Sequence, residues 1–484
     1  MEPFDLRRYR AEQYEALLER PLDVLVVGGG IVGAGIARDA AMRGLRVGLV
    51  EQHDLAFGTS SRSSRLLHGG LRYLAQGRII LVYQASREKL VLRRIAPHLV
   101  QPLAFVFPAY RGKSWPLWQL RLGVKLYDLL CSGNNFGPSE YLSIEKTLDC
   151  LPGLASAGLT GAVRYYDALT SDARLVIDTH LSAARHGAVI CNYTRLETAE
   201  PTAAGWQCSL CDVLSGTQHQ VLARTVVNAT GPWAQSLRPS RVRLRLTKGV
   251  HLIIDRRRLP VADAVVMTED RRILFAIPWL DRVILGTTDT DYHGAPEAVR
   301  AKAEDVDYVL GLVNRFFPAV GLGPADVLST WAGLRALVGG QSGQPSDITR
   351  AHRIEMPEPG WLNVFGGKLT TYRLIGQQVV DALVRYLGRS SLPCRTAVVP
   401  LLADCEPGFS GIAPPEVSEQ AVVHFCRNEW AIRVEDVMIR RTGWHYCRPD
   451  ARDVAIRVAG WMANVFGWDA ATRDAELARY ESLP

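Results

Sequence analysis

Leu22-Asp23-Val24-Leu25-Val26-Val27-Gly28-Gly29-Gly30-Ile31-Val32-Gly33 is the stretch that decides the fold of this 484-residue chain. Residues 23–27 read as a short apolar strand, and the glycines behind it open a helix predicted over Ile31–Arg43. A second buried strand follows at Leu45–Val50, so strand, turn, helix and strand fall within about thirty residues, the βαβ unit of a parallel sheet. Gly28 permits the tight turn, Gly30 lets backbone approach a pyrophosphate, and Gly33 lets the helix pack closely on the strand. The helix N-terminus contributes N–H groups and the positive end of a dipole. Glu51 ends the second strand, where a carboxylate can accept the hydroxyl protons of an adenosine ribose. An acid there argues against a 2′-phosphate, which calls for Arg. The expectation is an α/β chain with a Rossmann-like domain that holds FAD or NAD; spacing alone leaves both open.

Hydrophobic residues make up 48% and charged residues 22%, which excludes a disordered chain. At about 150 residues per domain, the length suggests roughly three structural units. Lys and Arg number 56 against 49 Asp and Glu, a net charge of +7 with no basic block or basic–aromatic stripe. That mild excess suits an anionic substrate or membrane surface, and no nucleic-acid partner is expected. Nine scattered cysteines lack zinc spacing, so reduced thiols and no metal site are expected; Cys208-Ser209-Leu210-Cys211 lies in strand-like text and reads as packing. Residues 1–21 read as a polar helical extension without the apolar core of a signal peptide. The longest apolar run, Val24–Ala37, is too short to span a bilayer, so no transmembrane helix is expected.

Further along, 85–96 reads as a charged amphipathic helix ending at Pro97. The leucine-rich stretch 103–138 carries Trp115, Trp118, Arg121, Lys125 and Tyr127 at helical spacing. Such a helix either lies on anionic lipid or packs in the core with snorkelling cations. Residues 141–187 look helical, 189–227 alternate as strands, 243–290 suggest an antiparallel sheet, and 296–317 return to helix. A strand at Trp361–Phe365 runs into Gly366-Gly367-Lys368. Turn-rich residues 395–413 precede a helical tail dense in Arg and Trp, placing a domain boundary near 395.

Gly58-Thr59-Ser60-Ser61-Arg62-Ser63-Ser64-Arg65-Leu66-Leu67-His68-Gly69-Gly70-Leu71-Arg72-Tyr73-Leu74 closely resembles the flavin-proximal stretch of FAD-dependent glycerol-3-phosphate dehydrogenases. The likeness recurs in Asn228-Ala229-Thr230-Gly231-Pro232-Trp233, Lys248-Gly249-Val250-His251, Ile277-Pro278-Trp279 and Gly286-Thr287-Thr288-Asp289. It returns in Trp331-Ala332-Gly333-Leu334-Arg335 and in Phe365-Gly366-Gly367-Lys368-Leu369-Thr370-Thr371-Tyr372-Arg373, and the tail fits at Arg427-Asn428-Glu429-Trp430-Ala431, Glu435-Asp436-Val437 and Arg440-Arg441-Thr442. The resemblance implies FAD, oxidation of sn-glycerol 3-phosphate to dihydroxyacetone phosphate, and a quinone acceptor at the membrane. It implies a FAD-binding domain in parts (about 22–100, 150–240 and 330–394) with an inserted antiparallel-sheet substrate domain (about 101–149 and 241–330). A C-terminal α-helical domain would occupy 395–484. Expected locations are the cytoplasm or the cytoplasmic face of the inner membrane, the quinone tilting the 103–138 helix toward lipid; a homodimer is a further expectation.

The cofactor residues implied are Gly28, Gly30, Gly33, Glu51, Gln52, Thr59, Ser60, Ser61, Leu66, His68, Gly69, Ala229, Gly231, Gly367, Leu369 and Thr370. Phosphate binding falls to Arg335 and Arg350, with Arg72 and Tyr73 near the substrate end of the flavin; a guanidinium fork meets phosphate with two hydrogen bonds. His251 is the expected base, Lys368 a stabiliser of the alkoxide or reduced flavin, and an Arg335-assisted alkoxide is the competing mechanism. Three departures stand out: Val32 replaces a common Asn, Ala336 a Pro, and Arg65 a Lys. Rival readings are an oxidase passing electrons to oxygen, a paralogue for another phosphorylated alcohol, and a non-catalytic flavin-binding scaffold.

Overall fold

Leu22–Val27 is buried at all six positions, as a central strand of a parallel sheet must be. It pairs in parallel with Val47–Val50 on one side and Gln218–Asn228 on the other. Val189–Cys191 and Trp361–Phe365 extend the parallel array outward. Arg353–Glu358 closes one edge antiparallel, and the hairpin Thr194–Thr202/Gly205–Asp212 continues from Gln218–Asn228. Helices Ile31–Met42, Asp172–Arg185 and Tyr372–Leu387 pack together over this sheet. The computed structural model describes residues 4–74, 76–113, 115–131, 135–269, 272–338, 351–402 and 408–483.

A second sheet, of ten strands among the described residues, is antiparallel except where Ala264–Glu269 runs parallel to Gln101–Tyr110. One face packs on helix Ala303–Phe316 around Leu252, Ile254, Leu285 and Val313. The other carries Phe105, Phe107, Tyr165, Ile277 and Trp331, packed with Leu120, Val124 and Tyr127 of helix Leu117–Leu130.

Two strands fall elsewhere than expected. Within 141–187, Leu159–Leu169 is a strand of eleven residues between helices Ile144–Cys150 and Asp172–Arg185. Eight of its eleven residues are buried, and Ala162 and Ala168 interrupt the face that carries Thr160, Arg164 and Tyr166, so the polar alternation of a half-buried strand is blurred and it reads as helix. It and Val327–Val338 pair within the ten-stranded sheet, so the inserted unit takes them from segments expected in the FAD-binding parts.

Residues 396–402 remain on the dinucleotide-binding unit, beyond the boundary expected near 395: the Leu401 N–H donates to Ile95 O, and Arg38 donates to Thr396 O and Val399 O. The tail then forms its own helical core around Phe425, Trp444, Val458 and Met462. The N-terminal helix Leu6–Leu18 is docked by Arg10, which is buried and donates to Asp212 and Asn192 O. Arg10 is therefore not available to a surface-facing basic patch on this helix. Among the described residues no helix is long and apolar enough to cross a membrane, and no group of His, Cys, Asp and Glu is arranged for a metal ion.

The packing of the first helix on the first strand makes a prediction. A Cβ on Gly33 would lie 1.9 Å from Gly28 O, which is backbone and cannot yield. Gly33→Ala is expected to cost more than about 4 kcal/mol; soluble, normally folded protein by circular dichroism and thermal denaturation would contradict this.

Candidate active site

Parallel strands ending side by side leave a crevice beyond their carboxyl ends, the usual ligand position in such sheets. Val27, Val50 and Asn228 are register partners here, so Gly28, Glu51 and Ala229 follow them at one level. The crevice opens into a cavity of about 460 Å³ roofed by the ten-stranded sheet.

At the glycine turn, Gly28 has φ +113°, and a Cβ there would meet Ala229 O at 2.7 Å. Gly30 begins the helix with no side-chain cap of its own and no acid occupies the first turn; Gly30, Ile31 and Val32 line the cavity, and the Ile31 N–H donates to Ser60 Oγ at 3.0 Å. Glu51 accepts from the N–H groups of Gly29 (2.7 Å) and His53 (2.9 Å), and burial still pushes its carboxyl above the usual range. Behind the turn, Gly29 O accepts from the Ala56 N–H and from His180 Nε2. Because a carbonyl only accepts, Nε2 carries the proton. Burial pushes the His180 imidazolium down to about 4, so this neutral tautomer persists at neutral pH. His180 was not anticipated: it sits 151 residues from Gly29 with no local signature.

Gln52, Thr59, Ser60, Leu66, His68, Ala229, Gly231, Gly367 and Leu369 also line the cavity. Gly33, Ser61, Gly69 and Thr370 lie behind its wall. Gly33 packs on Gly28, Ser61 is buried, the Gly69 N–H donates to Tyr127 OH, and Thr370 Oγ1 accepts from the His68 N–H. Ser61, Gly69 and Thr370, expected at the cofactor, stand here beside residues that line the wall. Arg350 and the side chain of Arg72 lie outside the described residues.

The roof carries the residues expected to react. On strands Leu244–Asp255 and Val327–Val338, His251 pairs with Trp331, Gly249 with Gly333 and Thr247 with Arg335, alternate residues that share one face. The opposed glycines make a hollow. A Cβ on Gly249 would lie 2.5 Å from Arg335 Nη2, and one on Gly333 would lie 2.7 Å from Arg62 O. Arg335 donates to Thr288 O, Asp289 Oδ1 and Thr287 Oγ1 at 3.0–3.2 Å. His251, 2% exposed, bonds Ser64 Oγ at 2.8 Å and stacks on Trp331. Burial, then the Arg335 and Arg65 cations, lower its pKa to about 3. Arg65 covers Trp279 at 4.1 Å and Trp331 at 5.2 Å, so this departure from the family pattern serves the aromatic stack. Lys368 Nζ stands 3.9 Å from the centre of the Tyr73 ring, and both line the cavity. Arg62, not anticipated as a site residue, lines it too, its pKa lowered by burial. Phe105, Phe107, Trp115, Tyr165 and Phe275 form an apolar wall.

An open helix N-terminus, a cradle that a Cβ would fill and a carboxylate at the end of the second strand together fit a dinucleotide. The profile of the FAD dependent oxidoreductase family matches residues 23–381. The chain belongs to that family. A second profile, the C-terminal domain of alpha-glycerophosphate oxidase, matches residues 412–473 of this FAD-dependent oxidoreductase. Glycerol-3-phosphate dehydrogenase 2 of Mycobacterium tuberculosis is 34% identical over 97% of this chain and 89% of its own length. The aerobic glycerol-3-phosphate dehydrogenase of Staphylococcus aureus (strain MRSA252) is 38% identical over 77% of this chain and 70% of its own. A glycerol-3-phosphate dehydrogenase from Bacillus halodurans, solved with FAD, superposes with a TM-score of 0.79 at 29% identity, covering 98% of this chain and 96% of that one. The L-alpha-glycerophosphate oxidase of Mycoplasma pneumoniae, at 17% identity and a TM-score of 0.60 over 79% of this chain and 100% of its own, shares the fold.

Removing the His180 ring would leave the Gly29 carbonyl with one donor fewer in a dry site. His180→Ala is expected to weaken FAD retention about tenfold, read as flavin content after dialysis. Full occupancy would contradict the role given to this bond.

Proposed function

We propose that this FAD-dependent oxidoreductase converts sn-glycerol 3-phosphate to dihydroxyacetone phosphate and passes the electrons to a quinone. The observation that carries the reading is the convergence of a neutral histidine and an arginine fork on one face of the cavity roof. It is joined by 34–38% identity to proteins named glycerol-3-phosphate dehydrogenase.

Gly28, Gly30 and the N–H groups of the first helical turn would hold the pyrophosphate of FAD, and Glu51 the ribose. Bound there, FAD supplies a hydride acceptor for the secondary alcohol carbon. Arg335 would turn its fork from Thr287 and Asp289 to the substrate phosphate, keeping full charge at any working pH. His251 is unprotonated at neutral pH, as a base for the hydroxyl proton must be, and a substrate phosphate on Arg335 would offset one of the cations that weaken it as an acceptor. Lys368 would place a positive charge where negative charge develops. The apolar wall keeps water from the reacting carbon.

Quinones partition into lipid, and two neighbouring helices suit a lipid surface. Trp118, Leu122 and Leu129 of Leu117–Leu130 are 64%, 65% and 71% exposed, while Leu120, Val124 and Tyr127 anchor the same helix in the core. Ile80, at the start of Ile79–Ile95, is 75% exposed. Apolar residues with Arg121 and Lys125 alongside match an interfacial helix, and we place this face on the cytoplasmic side of a membrane.

Purified enzyme is expected to form dihydroxyacetone phosphate in step with reduction of a short-chain quinone, with little oxygen uptake; equal turnover with oxygen and peroxide release would assign an oxidase instead. Arg335→Lys should raise KM for sn-glycerol 3-phosphate about tenfold or more, since Lys lacks the planar fork, and an unchanged KM would remove Arg335 from phosphate binding. With the His251 pKa lowered to about 3, the imidazole loses its basic form only well below the ordinary value near 6.5. The acid limb of kcat/KM should therefore fall below about pH 5; a limb near 6.5 would contradict this environment.

A further inference from the structure

Residues 51–57 connect the ribose carboxylate to the cavity rim, and their centre carries a charge that the chemistry above does not use. Asp54 is fully buried. Arg441 grips it with a two-pronged fork, Nη1 to Oδ2 and Nη2 to Oδ1, both at 2.8 Å. Arg440 Nε donates to Oδ2 at 2.5 Å and Asn192 Nδ2 to Oδ1 at 3.2 Å. Both arginines belong to the C-terminal helical domain, and both are buried. Burial alone would raise the Asp54 carboxyl, but the two guanidiniums outweigh it and hold it down to about 2.

The fixtures beyond Asp54 lead to the cavity. Arg441 also donates to Glu429 O, Arg440 to Asp436, and Asn192 to Trp430 O. The loop is pinned by Tyr193 N–H to His53 O, Thr194 N–H to Glu51 O, and Ala56 N–H to Gly29 O. Ala56, Tyr193 and Trp430 all sit at φ +50° to +65°, the left-handed region that side chains avoid, so the surroundings must over-determine them. Buried ion clusters are weak devices for stability, because desolvation offsets attraction; holding one conformation is a use that this arrangement supports.

We propose that Arg440 and Arg441 are positioning residues for FAD: through Asp54, the C-terminal domain holds loop 51–57 where Glu51 and the glycine turn receive the ribose and pyrophosphate. This rests on FAD occupying the cavity. It gives the C-terminal domain a task in cofactor retention, although none of its described residues lines the cavity.

The test compares full-length holoprotein carrying Arg441→Met, Arg441→Lys or Arg282→Met. Arg282 makes a separate buried link to the C-terminal domain, donating to Cys447 O at 3.2 and 2.9 Å, without touching Asp54, Glu429 or Asp436. FAD release on dilution is followed by flavin fluorescence, beside the thermal midpoint and the visible spectrum of bound flavin. Arg441→Met should release FAD at least about tenfold faster than the parent, Arg441→Lys should fall between them, and Arg282→Met should release it at the parent rate despite a lowered midpoint. Parent-like release from Arg441→Met, or equal acceleration by Arg282→Met, would overturn the proposal. If Arg441→Met does not fold, Arg441→Lys against Arg282→Met decides in the same way. Parent protein without flavin would instead overturn the cofactor reading itself.

Discussion

Two backbones meet at Gly28 and Gly33 more closely than any side chain allows, and the site depends on that approach. The helix N-terminus can point at the cavity only because its first turn lies directly on the glycine turn. That position brings the Gly29 N–H to Glu51 and the Gly29 carbonyl within reach of Ala56 and His180. Loop 51–57 then has one place to run, and its buried carboxylate meets the two arginines of the C-terminal domain. A steric constraint between two glycines is thus transmitted through hydrogen bonds into a charge-matched contact between domains.

The roof uses the same economy of small residues for a different end. Gly249 opposite Gly333 removes two side chains from the centre of a wide sheet, and the Arg335 guanidinium folds into the space. His251 is held beside it by Ser64 and by the Trp331 face, with Arg65 stacked on that same indole. Two cations near an imidazole in a dry site keep it uncharged. A neutral imidazole beside a guanidinium fork is the pairing that the proposed oxidation of a phosphorylated alcohol calls on.

Much of this was legible in the sequence because it is local. The βαβ unit was read nearly to the residue: Leu22–Val27, Ile31–Met42 and Val47–Val50 against predictions of 23–27, 31–43 and 45–50. Glu51, Gly28 and Gly30 lie where their spacing put them, and the resemblance led to His251, Arg335 and Lys368, which line one cavity. Leu159–Leu169 escaped because alanines on its partly exposed face blur the strand periodicity. Arg10 escaped because its partner, Asp212, lies 202 residues on. His180 and the Arg440–Asp54 contact, spanning 386 residues, are properties of the assembled fold that no spacing rule encodes.

The most direct test is anaerobic addition of sn-glycerol 3-phosphate to purified protein while its visible absorbance is recorded. The account predicts flavin bands that bleach with this compound and persist with unphosphorylated glycerol, joining cofactor, substrate and phosphate recognition in one trace. Flavin bands indifferent to sn-glycerol 3-phosphate would contradict the assignment of substrate and of the roles given to Arg335 and His251.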